Sequence, residues 1–322
     1  MSGRVLLSIP FRALPTLLAA IVVSFLLLRL IPGDAVDVMA SQVALSNESD
    51  IAKWRHDLGL DRSIGEQLLD YIVNLARLDF GYSHIYNMPV ASLIGERLPS
   101  TCLLAGTAFV VAIILGILAG VISGYAKGGA LDQLTSAVLL LLYSVPAFWT
   151  GLLLIEVFAV WLNWLPLGGS QSLGLDLSGA ARIGDRLRHL VLPAVTLALF
   201  YIAVDARLVR ASMLEVQNQD YIRTAIAKGL DRHTIVWKHM LRNALLPLTA
   251  VAGNRIGAML GGAVTIETVF NWPGMGRLAF EAVLKRDFTV LTAILVLSAF
   301  FVIAANIIVD LIQVWIDPRI EH

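Results

Sequence analysis

Seven lysines and arginines (Arg207, Arg210, Arg223, Lys228, Arg232, Lys238, Arg242) fall within residues 207–247, against only Glu215, Asp220 and Asp231. Cations this dense between apolar runs perform no covalent chemistry; by composition alone they read as a basic loop that holds its cytoplasmic side. The order of residues reads as helix, tight turn, helix. Asp220 is placed to N-cap a short helix through Lys228, since a carboxylate there meets free N–H groups and the positive end of the helix dipole. Gly229 sits where a helix end calls for a left-handed residue. Asp231 is placed to cap the next helix, which Pro247 closes. That helix carries an apolar stripe of Val236, Met240 and Ala244, with Trp237, Leu241 and Leu245 beside it and Lys238 and Arg242 opposite.

The other chemistry-bearing groups lie inside apolar runs: Glu156, Arg255 and Glu267 well within, Arg29, Asp205 and Asp310 near run ends. Ionisable groups at membrane depth are expensive and rare. The end-placed three can reach the interface and read as structural. Arg255 shares its run with Gly253, Gly257 and Gly261, spaced by four with Gly262 adjoining. Such spacing lets membrane helices approach backbone to backbone. That face either packs within the chain or lines an interface with a partner subunit and a translocation path. Glu267 precedes Thr268-Val269-Phe270-Asn271-Trp272-Pro273-Gly274-Met275-Gly276, where Pro and Gly set an abrupt reversal.

Several classes drop out. There is no G-x-x-x-x-G-K-[ST], so no P-loop nucleotide site. The six histidines are scattered and no C-x-x-C occurs, so no built-in metal site or catalytic triad is expected. The single cysteine, Cys102, cannot form an internal disulfide and reads as a small packing residue. A nucleic-acid surface is excluded, because the basic stretch is bounded by membrane spans and offers only Tyr221 and Trp237 as aromatics.

The elements that must position these groups follow from composition. The 322 residues are 57% hydrophobic and 15% charged, with no formal net charge and a mean hydropathy of +0.77. That is an all-α polytopic membrane protein. Apolar runs fall at 13–31, 100–124, 133–165, 190–206, 246–269 and 290–314. The run at 133–165 is awkward in length, and parity settles its reading. The basic stretch belongs inside by the positive-inside rule, as do Arg4 and Arg12, so an even number of crossings must precede it. One long helix, kinked at Ser144-Val145-Pro146, meets that condition. Six transmembrane helices with both termini cytoplasmic result. Residues 1–31 are then a retained anchor rather than a cleaved signal, because the run exceeds the usual signal-peptide length. Residues 32–98, with ten acids against five Lys/Arg, form an extracytoplasmic segment, and 99–318 the core. Two short helices and a loop are expected at 55–83.

Ala225, Ala227, Gly229, His239, Arg242, Asn243 and Pro247 resemble the E-A-A…G loop of inner-membrane subunits of binding-protein-dependent ABC importers. DYIRTAIAKGL followed by KHMLRNALLP is similar to the dipeptide/oligopeptide/nickel permease branch, as are Asp79-Phe80-Gly81-Tyr82-Ser83 and the E-T-V-F-x-x-P-G-x-G turn. Thr224 stands where many members carry the Glu, so no role of that Glu passes to this chain. The resemblance implies the type I ABC importer permease fold in the bacterial inner membrane. It implies a second related permease subunit, two ATPase subunits that hold ATP and Mg, an extracytoplasmic solute-binding protein, and no cofactor on this chain. Asp220, Tyr221, Arg223, Ala225, Ala227, Lys228, Gly229, His239, Arg242 and Asn243 would meet the ATPase. Gly253, Arg255, Gly257, Gly261, Glu267, Pro273 and Gly274 would shape the pathway and outer gate. Short peptides are the expected solute, with nickel or another metal chelate as the alternative. A secondary transporter or channel would show inverted repeats and midspan carboxylate pairs, which the sequence lacks.

Overall fold

The computed structural model describes residues 14–26, 36–37, 40, 48–57, 59–172 and 174–316. The last residues of the expected anchor run, 27–31, lie outside them. The described chain is helical apart from one two-residue ladder, β1 (Tyr82–Ser83) with β2 (Met88–Pro89). The helices are α1 (Leu14–Leu26), α2 (Glu48–Asp57), α3 (Ile64–Ala76), α4 (Val90–Tyr125), α5 (Ala130–Ser144) and α6 (Ala147–Leu154, running on as a π-helix over Ile155–Trp161). There follow α7 (Gly179–Val216), α8 (Asp220–Ala227) and α9 (Arg232–Thr234, a π-helical Ile235–Met240, then Leu241–Ala244). The last three are α10 (Leu246–Val269), α11 (Met275–Lys285) and α12 (Phe288–Ile316).

Among the described residues, three helices are long and apolar enough to cross a membrane: α4, α7 and Phe288–Val309 of α12. The α5–α6 pair raises this to four if it counts as one span. α1 is apolar but shorter. Asn254, Arg255 and Glu267 dilute the apolar character of α10, whose 24 residues give it about 36 Å at 1.5 Å per residue.

Where the expected elements differ, the backbone gives the reason. The run at 133–165 is not one kinked helix. It breaks completely at Val145-Pro146, and the two halves are bent by 105°. Proline lacks an N–H and drives the preceding residue out of the helical region, and Val145 is extended at φ −84, ψ 130. α7 is 38 residues, about 57 Å, well beyond the 17 residues expected at 190–206 and longer than a bilayer needs. Hydropathy finds where a helix meets lipid, not where it ends; Ala180, Ala181 and Arg182 are strong helix formers. α4 likewise begins at Val90 and carries Pro99 inside it, rather than starting after the Arg97-Leu98-Pro99 segment. Cys102 lies on an exposed face of α4 and not in the packing. Of the two short helices expected over 55–83, one is present as α3, opened by a Ser63–Glu66 capping box; α2 begins earlier, at Glu48, and reaches the region only with its last turn.

The chain divides into two compact units. The first holds the described residues up to Ser100 together with Gly274–Ala304. Here Val90, Leu93 and Ile94 pack with Met275, Leu278, Ala282 and Val290. Three hydrogen bonds seat the β hairpin: Ser83 Oγ to Asp287 Oδ2 at 2.5 Å, Tyr86 Oη to Glu281 Oε2 at 2.9 Å, and the Val90 N–H to the Gly81 carbonyl at 3.0 Å.

The second unit holds Thr101–Pro273 and the described residues from Ala305 on. Its core is built from small residues, Ala108 and Ala112 with Ala198, Ala203, Ala206 and Ala263, filled out by Leu104, Ile202, Met259, Ile266 and Phe270. α4 and α7 run side by side in the same direction. A Cβ added at Gly116 would lie 2.5 Å from Asp205 Cβ. One at Gly120 would lie 2.7 Å from both the Ala206 carbonyl oxygen and Val209 Cβ, and one at Gly124 2.9 Å from Met213 Cβ. This glycine ladder, spaced by four, is the close helix contact of the unit.

Candidate functional site

The basic stretch folds as the expected hairpin. Asp220 is the first residue of α8 rather than its N-cap; Gln219 holds that position, and Asp220 pairs across 3.4 Å with Arg223. A carboxylate in the first turn still favours the helix through its dipole. Gly229 has φ +73, and its N–H bonds the Ile226 carbonyl while the Leu230 N–H reaches the Ala225 carbonyl, the paired bonds that close a helix on a left-handed residue. Asp231 caps α9, accepting from the Thr234 N–H at 2.9 Å. Hydrogen bonding with Thr234 holds its carboxyl below the ordinary value. α9 ends at Ala244, and Pro247 opens α10 in its first turn, where a missing N–H costs nothing, instead of closing α9.

One apolar cluster seats the hairpin. Ile222 and Ala225 of α8 and Ile235, Val236, Met240 and Ala244 of α9 pack against Val121 of α4, Val209 and Met213 of α7, and Leu248 of α10. Asn243 Nδ2 donates to Tyr221 Oη at 2.7 Å, joining the end of α9 to the start of α8. Ala225 is therefore turned inward. Tyr221, Arg223, Ile226, Ala227, Lys228, Gly229, Leu230, Trp237, Arg242 and Asn243 face outward, and His239 is half-buried. Four of the seven cations are engaged within the chain: Arg207 lies over the Tyr143 ring, Arg232 over Tyr125, Arg223 pairs with Asp220, and Arg210 binds Asp132.

The groups at membrane depth separate into two sets. Arg255 of α10 is buried and ion-paired with Asp205 of α7, itself fully buried beside Gly116. Asp205 is thus a membrane-depth partner and not an end-placed residue. Gly253 meets Val309 and Asn306 of α12 and Gly257 is buried, so both pack within the chain. Gly261 is exposed, and an added Cβ there would meet nothing within 4 Å. Glu267 is fully buried and accepts from Thr101 Oγ1 at 2.6 Å. The turn after it is pinned by the Trp272 N–H to the Glu267 carbonyl at 2.8 Å and the Gly169 N–H to the Phe270 carbonyl at 2.8 Å, with Asn271 at φ +53. Pro273 is half-buried, and Gly274 occupies the N-cap of α11.

Two constellations escape sequence reading because a loop conformation, in one, and a helix contact, in the other, bring their members together. Ser172, Asp185 and His189 come together near the start of α7. The Asp185 carboxylate accepts from Ser172 Oγ at 2.6 Å and the Ser172 N–H at 2.7 Å, while His189 Nδ1 donates to the Gly168 carbonyl at 2.9 Å. A nucleophilic relay places the carboxylate on the histidine Nδ1. Here it grips the serine, so the trio ties the 162–178 loop to α7. The second is the Asp132 carboxylate, bound by Arg210 Nε and Nη2 at 2.8 Å each, by Ser123 Oγ at 2.5 Å and by the Gly128 N–H at 3.0 Å. Among the described residues no cluster of His, Cys, Asp and Glu could hold a metal.

Comparison with known proteins decides the family. Residues 112–322, more than half of the chain, match the family model "Binding-protein-dependent transport system inner membrane component". The chain belongs to that family. It is 39% identical over 323 residues to the di/tripeptide transport system permease protein DppB of Pseudomonas aeruginosa, covering 96% of each chain. It is 37% identical over 311 residues to the oligopeptide transport system permease protein AppB of Bacillus subtilis, again covering 96% of each. Among solved structures, the inward-facing methionine ABC transporter MetNI matches with a TM-score of 0.58 and 19% identity, over 70% of this chain and 97% of that one. That likeness carries the fold alone. As a family member, this chain is the inner-membrane, non-hydrolytic component of its transport system.

Proposed function

We propose that the chain is one permease subunit of an ATP-driven importer of short peptides, forming half of the translocation path. The observation that carries this reading is the outward-facing hairpin of α8 and α9. It presents small and aromatic residues on a rigid base, as a surface gripped by a second protein requires. The two relatives named for peptide transport, each matching almost end to end, support the solute class. The partners are a second permease subunit, two ATPase subunits holding ATP and Mg, and an extracytoplasmic binding protein. Tyr221, Ala227, Lys228, Gly229 and Arg242 meet the ATPase, and Asp220, Arg223, Ala225, His239 and Asn243 shape that surface. Six spans put the hairpin and both termini in the cytoplasm; α1 and α10 supply the two crossings beyond the most apolar set. Gly261 looks onto the partner permease. Arg255 with Gly253 and Gly257 positions α10, and Glu267, Pro273 and Gly274 form the outer gate. ATP-driven closure of the ATPases biases the spans between inward- and outward-open states.

The test is reconstitution of the chain with its partner permease and ATPase subunits into vesicles, with labelled di- to hexapeptides supplied through the binding protein. ATP-dependent peptide accumulation is expected. Accumulation of a metal chelate with no peptide uptake would overturn the solute. Labelling of a Lys228→Cys variant from the periplasm would overturn the topology.

A further inference from the structure

Among the described residues 127–138, the lower half of α5 and the loop before it, Asp132 is the only buried one, at 4% exposure. Leu131, Leu134 and Val138 on either side are exposed. No residue of α5 belongs to the apolar cluster that seats the basic hairpin, although α4, α7, α8, α9 and α10 all contribute. At its far end α5 packs on α7, with Leu139 in the core, Tyr143 stacked on Phe200 and Arg207 over the Tyr143 ring; its lower end is tied to the hairpin's base by polar contacts centred on one carboxylate. Those contacts are complete: a bidentate arginine from α7, a hydroxyl from α4 and a backbone N–H from the α4–α5 loop converge on its two oxygens. Fork-to-carboxylate pairing fixes direction as well as distance, and a half-buried guanidinium holds it more firmly than a solvated one would. Arg210 lies in the last turns of α7, ten residues before α8, between Val209 and Met213 of the apolar cluster.

We infer that Asp132 is a positioning residue for transport: its clamp to Arg210 makes the lower end of α5 follow the movement of the hairpin. Without the clamp, the hairpin would still be driven through α7, but the lower end of α5 would lag behind the part packed on α7. This inference rests on the proposed ATP-driven function, so the wild-type complex serves as its own control.

The experiment compares wild type, Asp132→Asn, Asp132→Glu and Arg210→Lys as full complexes in vesicles, measuring peptide uptake and ATP hydrolysis in the same preparation. Asparagine keeps the shape and an acceptor oxygen but loses the charge that holds the guanidinium fork. The expected result is hydrolysis within about twofold of wild type and uptake per ATP reduced at least tenfold, with partial recovery in Asp132→Glu. Equal loss of both activities, an unchanged ratio, or failure of both Asp132→Asn and Arg210→Lys to assemble would overturn the inference. Absence of uptake in wild type would count against the proposed function instead.

Discussion

Replacing Gly120 by alanine inserts one methyl group between α4 and α7. The added carbon would stand 2.7 Å from the Ala206 carbonyl oxygen, 2.7 Å from Val209 Cβ and 2.9 Å from Val209 Cγ1. Packed carbons sit about 3.5–4.0 Å apart, so the shortfall is about 1 Å. Two of the three neighbours are a backbone carbonyl and a β-carbon, which no rotamer change can move. The helices must part, and overpacking of this kind costs about 1–3 kcal/mol. Parting them there also loosens Gly116 from Asp205 and Gly124 from Met213, on either side along the same ladder. The control is Gly106→Ala on the same helix, whose added carbon meets nothing within 4 Å. Thermal unfolding of the detergent-solubilised chain, followed by fluorescence-detected size exclusion, should place Gly120→Ala clearly below wild type and Gly106→Ala level with it. If the two variants unfold together, the ladder is not the contact that holds these helices, and the packing argument fails.

Three further outcomes follow from the geometry. Gly229→Arg places a side chain at φ +73, where an L-residue costs about 1–2 kcal/mol, and puts bulk on the hairpin's outward face. Uptake should vanish while the amount of inserted protein, measured by membrane immunoblot, stays near wild type. Asp231→Ala should lower stability at pH 7. Because hydrogen bonding with Thr234 depresses the carboxyl, its contribution is present above the ordinary value of 3.8 and lost as pH falls through the lowered one. The gap between variant and wild type in a pH series should close in acid. Tyr86 is pushed up to about 12, first by burial and then by Glu281. Its contribution holds below the ordinary value of 10 and fades as pH rises through about 12. Ultraviolet titration of Tyr86→Phe should lack one of the late phenol ionisations that wild type shows.

Local signals made much of the basic hairpin legible. Gly229 needs its left-handed conformation from its own neighbours, Asp231 reaches only three residues to cap α9, and Val236, Met240 and Ala244 share a face by helical period alone. The glycines of α10 were less legible, for the opposite reason. Gly253, Gly257 and Gly261 show the same spacing as Gly116, Gly120 and Gly124, yet a spacing says only that one face is small, not what lies across from it. In the fold, Gly253 meets α12, an added Cβ at Gly261 meets nothing within 4 Å among the described residues, and the tightest approach of one helix to another at a glycine is at the ladder on α4.

By itself the sequence determined the membrane class, the cationic elbow, its Gly229 and Asp231 caps and the place of the interruption at Pro146, though not that it is a full break, because each follows from hydropathy or from interactions a few residues long. Tertiary structure alone decided that Asp205 faces Arg255, that Glu267 binds Thr101, and that Asp132 gathers Arg210, Ser123 and Gly128. Those partners are set by which helix lies beside which at a given depth, and one chain's order of residues does not encode that directly. A buried carboxylate must find donors wherever packing brings them, and here packing brought Asp132 a partner 78 residues away.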